Sequence, residues 1–167
     1  MSSSTPEAVV AVVLTISDSC AHGERQDLSG PAVAEFLRDR DFVVEAMEIL
    51  PDETDQIRRA MLRWAGRVPI IVTTGGTGVG PRDFTPEATR AVCDRILDGI
   101  GERMRLEGSK KTPFAALSRA VCGVCRTSLI LNLPGSPIGA VDSLATVVDL
   151  LPHALQLLSG DTQHEPQ

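Results

Sequence analysis

The chain has 167 residues, room for one domain rather than two, and its 43% apolar and 23% charged residues are an ordinary globular composition, neither disordered nor fibrous. An aromatic content of 3%, the absence of tyrosine and a net charge of −6 argue against nucleic-acid and anionic-membrane partners, which call for stacking platforms or a basic footprint. An anionic small molecule held in a locally positive pocket stays open. No apolar run approaches the roughly 18–20 residues of a bilayer span, and residues 1–7 lack the basic and apolar regions of a secretory leader. Four cysteines at 20, 93, 122 and 125 read as reduced thiols in a cytoplasmic protein. A single domain is expected over residues 5–160, between flexible tails at 1–4 and 161–167.

Residues 8–16 (AVVAVVLTI) are a continuous β-branched run, which predicts a strand covered on both faces. Ser29 and Pro31 signal a helix start, with the helix running to about residue 40, and residues 42–50 alternate enough for a second strand. Pro51 and Asp52 precede a helix that runs to Trp64 and is closed by Gly66. Residues 68–73 predict a third strand. Thr85 as N-cap and Pro86 at the first position open a helix ending near Gly99. The stretch that follows carries no clear element. Residues 120–125 and 128–133 read as two short strands, and an apolar helix runs from Ser136 to Leu158 with a kink or restart near Pro152. This order predicts an α/β fold, a three-layer α/β/α sandwich with a mostly parallel sheet. Such sheets bind ligands at the carboxyl ends of their strands, here after Ile16, Leu50, Thr73 and Leu133.

The loop at 73–83 (TTGGTGVGPRD) carries the strongest chemical signal. Four glycines within residues 75–80 let the backbone approach a ligand and turn amides toward phosphate, with Thr74 and Thr77 adding hydroxyls. A flexible glycine-rich turn is the plain alternative, but the place after a buried strand and before a capped helix favours an anion site. Pro81-Arg82 stands where a Walker A loop needs Lys-Ser/Thr, and the third glycine of a dinucleotide fingerprint is displaced, so neither motif is present. Asp83 beside such a loop is electrostatically unfavourable unless a cation lies between it and the phosphates; otherwise it caps the next helix. Asp52 alone reads as a helix cap; with Asp83 on a neighbouring strand end it suits one magnesium ion. Ser17 and Asp18 after the first strand, and Asn132, Pro134, Gly135 and Ser136 after the last, either contact a polar ligand or form structural turns. Cys122 and Cys125 have no second pair of Cys or His at zinc spacing, and in a strand they point to opposite faces.

These loops resemble those of the molybdopterin adenylyltransferase family: the bacterial Mog proteins and the G domains of plant and animal molybdenum-cofactor proteins, gephyrin included. The resemblance rests on LTISDSC at 14–20, DLSG at 27–30, LPDE at 50–53, TTGGTG at 73–78, PRDFTPEAT at 81–89, TPFAALSR at 112–119 and LNLPGSP at 131–137. It implies a homotrimer that uses Mg2+ and ATP to adenylylate molybdopterin, releases pyrophosphate and hands the product to a molybdenum-insertion protein. By matching positions, Asp52 and Asp83 take the catalytic and metal-binding roles, and Thr74, Gly75, Gly76, Thr77 and Gly78 the phosphate loop. Ser17, Asp18, Ser118, Arg119, Asn132, Pro134, Gly135 and Ser136 fall on the pterin side. Arg82, Lys110 and Lys111 are candidates for offsetting the acidic charge near the ligands. The family's active members often carry a Phe-Ala-Pro-Arg-Asp stretch where this chain has Val79-Gly80-Pro81-Arg82-Asp83, and the extra glycine is expected to loosen the loop. Two alternatives are a MoaB-like protein that binds pterin without adenylylating it and a trimeric scaffold.

Overall fold

Alternation along the first strand decides the layering. In the computed structural model, which describes residues 8–160, β1 (Val10–Ile16) buries Ala11 and Val13 in one core and Val12, Leu14 and Ile16 in another. Apolar residues on both pleats require cover on both faces. The rest of the first half is α1 (Asp18–Ala21), α2 (Ser29–Arg38), β2 (Val43–Leu50), α3 (Thr54–Trp64), β3 (Ile70–Thr74) and α4 (Thr85–Val92). Then come β4 (Arg95–Ile96), α5 (Asp98–Ser109), a 3-10 segment (Pro113–Leu117), β5 (Cys122–Cys125) and β6 (Ser128–Leu133). The chain ends on α6 (Pro137–Val147), a 3-10 turn (Val148–Leu150) and α7 (Leu151–Leu158).

The six strands form one sheet in the order β2-β1-β3-β6-β5-β4. β1 pairs in parallel with β2 and β3, and β3 with β6, whereas β5 and β4 add on as antiparallel partners. The mostly parallel sandwich predicted from the sequence is the observed fold. From β1 the chain steps to β2 on one side and from β2 back across to β3 on the other. Right-handed crossovers in opposite directions place their helices on opposite faces. Residues of α2 accordingly share a core with α5, α6 and α7, while α3 and α4 cover the other face. The reversal lies between β1 and β3, where a crevice opens at the carboxyl ends of the strands.

Cys122 lies in one core and Cys125 in the other, as their spacing predicts. The helix from Thr85 stops at Val92, short of the expected end near Gly99, because Cys93 turns extended and Arg95–Ile96 pair with β5. The stretch without a predicted element holds α5, whose Gly99, Gly101 and Gly108 weaken its helical signal. Gly101 is there for space: a Cβ would stand 2.8 Å from the Ala120 carbonyl oxygen. Residues 137–158 form a helical run of 22 residues whose length and composition suffice to cross a bilayer, contrary to the sequence expectation. Its Ala140, Leu144, Val147 and Leu151 instead pack on the sheet. The predicted tails, at 1–4 and 161–167, lie outside the described residues.

Candidate functional site

The four parallel strands end level, and hydrogen bonds carry the pairing one residue past them. Ser17 N donates to Leu50 O at 2.9 Å, Gly75 N to Leu133 O at 3.0 Å, and the Thr74 hydroxyl to Pro134 O at 2.7 Å. These bonds seat the loops after β1, β2, β3 and β6 around one crevice. Gly75 and Gly76 take left-handed backbone at φ +103 and +67. A Cβ on Gly75 would lie 2.2 Å from Ile16 O, and one on Gly76 2.4 Å from the Thr85 hydroxyl and 3.1 Å from Asp52 Oδ1. No side chain fits at either place.

Thr85, expected as an N-cap, acts differently. Phe84 holds the cap position without a side-chain bond, while the Thr85 hydroxyl donates to Gly75 O at 2.9 Å and its N–H to Gly76 O at 3.1 Å. The first turn of α4 is thereby fastened to the glycine loop. Ser29, likewise read as a helix start, begins α2, but Asp27 serves that end by accepting from Gly30 N at 3.0 Å.

Neither aspartate is a helix cap. Asp52 Oδ2 accepts from Asp18 N at 2.9 Å while Asp18 Oδ1 accepts from Asp52 N at 3.0 Å, a reciprocal clasp between the first two strand ends. Burial pushes the Asp52 carboxyl above its ordinary range, and the negative charges of Asp18 and Asp83 add to the shift. Asp83 Oδ2 accepts from Gly80 N at 2.8 Å, and Asp83 N donates to Gly80 O at 3.1 Å. That closed turn corrects the expectation that Gly80 loosens the loop: Gly80 is not left-handed, and it gives Asp83 room, since a Cβ there would lie 2.8 Å from Asp83 Oδ2.

The crevice has two lobes. One, of about 500 Å³, is lined by Ser17, Arg25, Asp27, Asp52, Thr74 and Gly75; the other, of about 460 Å³, by Thr77, Gly78, Met104, Lys111, Phe114 and Ser118. Gly76, Asp83, Gly135 and Ser136 line both, so Asp83 stands at their junction. Each lobe has the volume of a small-molecule site. Pro134 joins the second lobe. Ser17 and Ser118, grouped on one side by the sequence resemblance, face different lobes.

Three expected ligand residues line neither lobe. Asn132 sits within β6 on the pleat facing α4, fully buried, donating to Thr73 Oγ1 at 3.0 Å and Thr89 Oγ1 at 2.9 Å and accepting from Val121 N at 3.3 Å. Arg119 turns its guanidinium to the carbonyls of Gly78 and Asp83, both at 2.7 Å, and to Glu87. Asp18 is taken up by Asp52 N and Arg82. Arg82 likewise faces away from the lobes, pairing with Asp18 and Glu53. Arg25 and Asp27 went unread because they lie in an aperiodic polar loop; the one clue was the DLSG at 27–30. Met104 belongs to α5, which the sequence does not signal, and Phe114 lies in the TPFAALSR motif without standing out as a ligand residue.

Among the described residues no group of three or more His, Cys, Asp or Glu side chains could hold a metal ion. A cation between Asp52 and Asp83 would complete its shell from ligand oxygens, and an all-oxygen donor set suits magnesium rather than zinc. Burial pushes the Cys93 and Cys122 thiols up to about 12, so neither offers a thiolate at neutral pH.

A family model described as "Probable molybdopterin binding domain" matches residues 12–153. The chain belongs to this molybdopterin-binding domain family. Its matched span includes every strand-end loop described above. The chain is 39% identical over 155 residues to a molybdopterin adenylyltransferase of Helicobacter pylori strain J99, covering 89% of this chain and 87% of that protein. It is 40% identical over 158 residues to the molybdenum cofactor synthesis protein cinnamon of Drosophila melanogaster, 93% of this chain but only 26% of that longer protein. The crystal structure of the molybdopterin biosynthesis enzyme MoaB from Thermus thermophilus superposes with a TM-score of 0.86 at 51% identity, over 91% of this chain and 97% of that one. The family read from the motifs is the family found.

Proposed function

We propose that this molybdopterin-binding domain is a molybdopterin adenylyltransferase, joining the adenylyl group of ATP to the terminal phosphate of molybdopterin. The observation that carries this reading is Asp83 where two lobes meet under a glycine loop, with Asp52 in the wall of one of them. Two substrates in adjoining lobes bring their phosphates together at that junction, which supplies the proximity contribution. Amides of Gly76 to Gly78 and the Thr77 hydroxyl receive the phosphates, while the Gly75 amide stays bonded to Leu133 O. A pterin phosphate oxygen bonds to the α-phosphorus, the bond to the bridging oxygen breaks, and pyrophosphate leaves with the electron pair. The nucleophile is already anionic, so no side chain has to remove a proton. Asp52 and Asp83 fit magnesium: each commits one carboxylate oxygen to a backbone N–H and has no hydrogen bond to the other among the described residues. When bound, magnesium neutralises charge on the phosphates.

The reading extends to a homotrimer in the cytoplasm that passes its product to a molybdenum-insertion protein. Exposed Val43, Met47 and Ile49 on edge strand β2 support self-association; a monomer in sedimentation at micromolar concentration would remove the trimer. The test of the activity is pyrophosphate release from purified protein given molybdopterin, ATP and magnesium. Release that requires all three supports adenylyl transfer. The second reading is a MoaB-like binder without adenylyl transfer, and the same assay separates the two. Pterin binding with no pyrophosphate release would select the binder.

A further inference from the structure

Arg82 lines neither lobe, yet its guanidinium bridges the loops after three strands. Its Nε donates to Asp18 Oδ2 at 2.6 Å and one Nη to Asp18 Oδ1 at 3.2 Å, a forked grip on one carboxylate. The same Nη donates to Glu53 Oε1 at 2.8 Å and to the Asp52 carbonyl at 3.3 Å. Asp18 in turn clasps Asp52 through the reciprocal backbone bonds. One guanidinium therefore ties the glycine loop to the loops after β1 and β2, and the next residue in the chain is Asp83. Arg82 also neutralises two of the acids beside the site, Asp18 and Glu53.

We propose that Arg82 is a positioning residue for this site: its fork on Asp18, Glu53 and the Asp52 carbonyl sets where Asp52, in the wall of one lobe, stands relative to Asp83 at the junction. Its ion pairs are half exposed, with side-chain exposures of 52% for Arg82, 30% for Asp18 and 53% for Glu53. Pairs so exposed add little to global stability. The effect of the fork falls on the loops it ties and on the charge beside them. Without Arg82, two further carboxylates stand unneutralised beside Asp52 and Asp83, where a polyphosphate is to bind. Arg82→Lys restores the charge but not the planar two-pronged grip, so it separates the two contributions.

The kinetic arm of the test rests on the adenylyltransferase reading; the exchange arm does not. First, amide hydrogen exchange is followed in the ligand-free full chain for wild type, Arg82→Ala and Arg82→Lys. Arg82→Ala is expected to speed exchange at Gly80, Asp83, Asp18 and Asp52 at least tenfold, leaving Gly75, held by Leu133, and the Tm nearly unchanged. Unaltered exchange at those four amides overturns the inference. Second, pyrophosphate release is measured at saturating molybdopterin with ATP varied. Arg82→Ala is expected to lose about 10–100-fold in kcat/KM, the range for residues that orient metal ligands, with KM for ATP raised and kcat lowered. Arg82→Lys recovers the KM and not the kcat; recovery of both would reduce Arg82 to a charge and overturn the positioning role. If wild type turns over and Arg82→Ala matches it, the inference fails and the function stands. If wild type releases no pyrophosphate, the function fails and the exchange arm alone decides the role of Arg82.

Discussion

Gly76→Ala is the perturbation for which the structure gives the most complete expectation. The residue sits at φ +67, and an added Cβ would meet the Thr85 hydroxyl at 2.4 Å and Asp52 Oδ1 at 3.1 Å. Left-handed backbone costs a non-glycine residue about 1–2 kcal/mol. Thr85 cannot give way freely, because it is fully buried and its hydroxyl is bonded to Gly75 O at 2.9 Å. Forcing a methyl into such a site costs about 1–3 kcal/mol, so the sum is about 2–5 kcal/mol, a large part of the ~5–15 kcal/mol typical of a domain. Gly23→Ala separates the two contributions, since Gly23 has φ +74 and nothing within 4 Å of its added Cβ. Denaturant unfolding of both variants is the assay. Gly23→Ala should show the backbone cost alone, and Gly76→Ala should lose at least about 1 kcal/mol more, with an unchanged m-value. Equal losses in the two variants would refute the claim that the glycine loop is packed against Thr85 and Asp52.

Other expectations follow from the same geometry. Asp52 has its carboxyl raised by burial and by its acidic neighbours, so the folded state holds that proton more tightly than the unfolded chain. Ionising it as pH rises through the raised value costs stability. Asp52→Asn should therefore raise the Tm of the ligand-free protein at pH 7, and the gain should vanish as pH falls to the ordinary 3.8 and below; a pH-independent Tm difference would contradict this. Asn132→Ala leaves Thr73, Thr89 and Val121 N short of partners and should cost about 1–3 kcal/mol, while kcat of the folded fraction stays within about twofold. A selective loss of pterin affinity would return Asn132 to the ligand. Cys122→Ser places a hydroxyl in an apolar core and should lower stability by about 1–3 kcal/mol without changing kcat; a large kcat loss would revive a redox role.

Much of this architecture was legible because the signals were local. The β-branched run at 8–16 and the short strands read at 120–125 and 128–133 announce a sheet covered on both faces, and glycines packed between a buried strand and a helix announce a phosphate loop. What stayed hidden depends on tertiary contact. α5 was masked because three glycines weaken its helical signal, of which Gly101 makes room for the Ala120 carbonyl. Asn132 and Arg119 belong to ligand-like motifs, yet one is held within the sheet and the other binds loop carbonyls. Linear sequence does not separate a residue that touches a ligand from one that holds the loop that does. The clasp between Asp18 and Asp52 joins positions 34 apart, and only the pairing of β1 with β2 brings them together.

The central claim is that Asp83, at the junction of the lobes, serves the transfer of an adenylyl group to pterin. The most direct measurement follows label from ATP carrying radioactive α-phosphate into molybdopterin, with wild type beside Asp83→Asn, a change that keeps side-chain size. Label on the pterin with wild type, reduced at least a hundredfold in a folded Asp83→Asn protein, is the result predicted here. Label transfer that survives Asp83→Asn undiminished, or pterin that binds wild type and never acquires label, would contradict it.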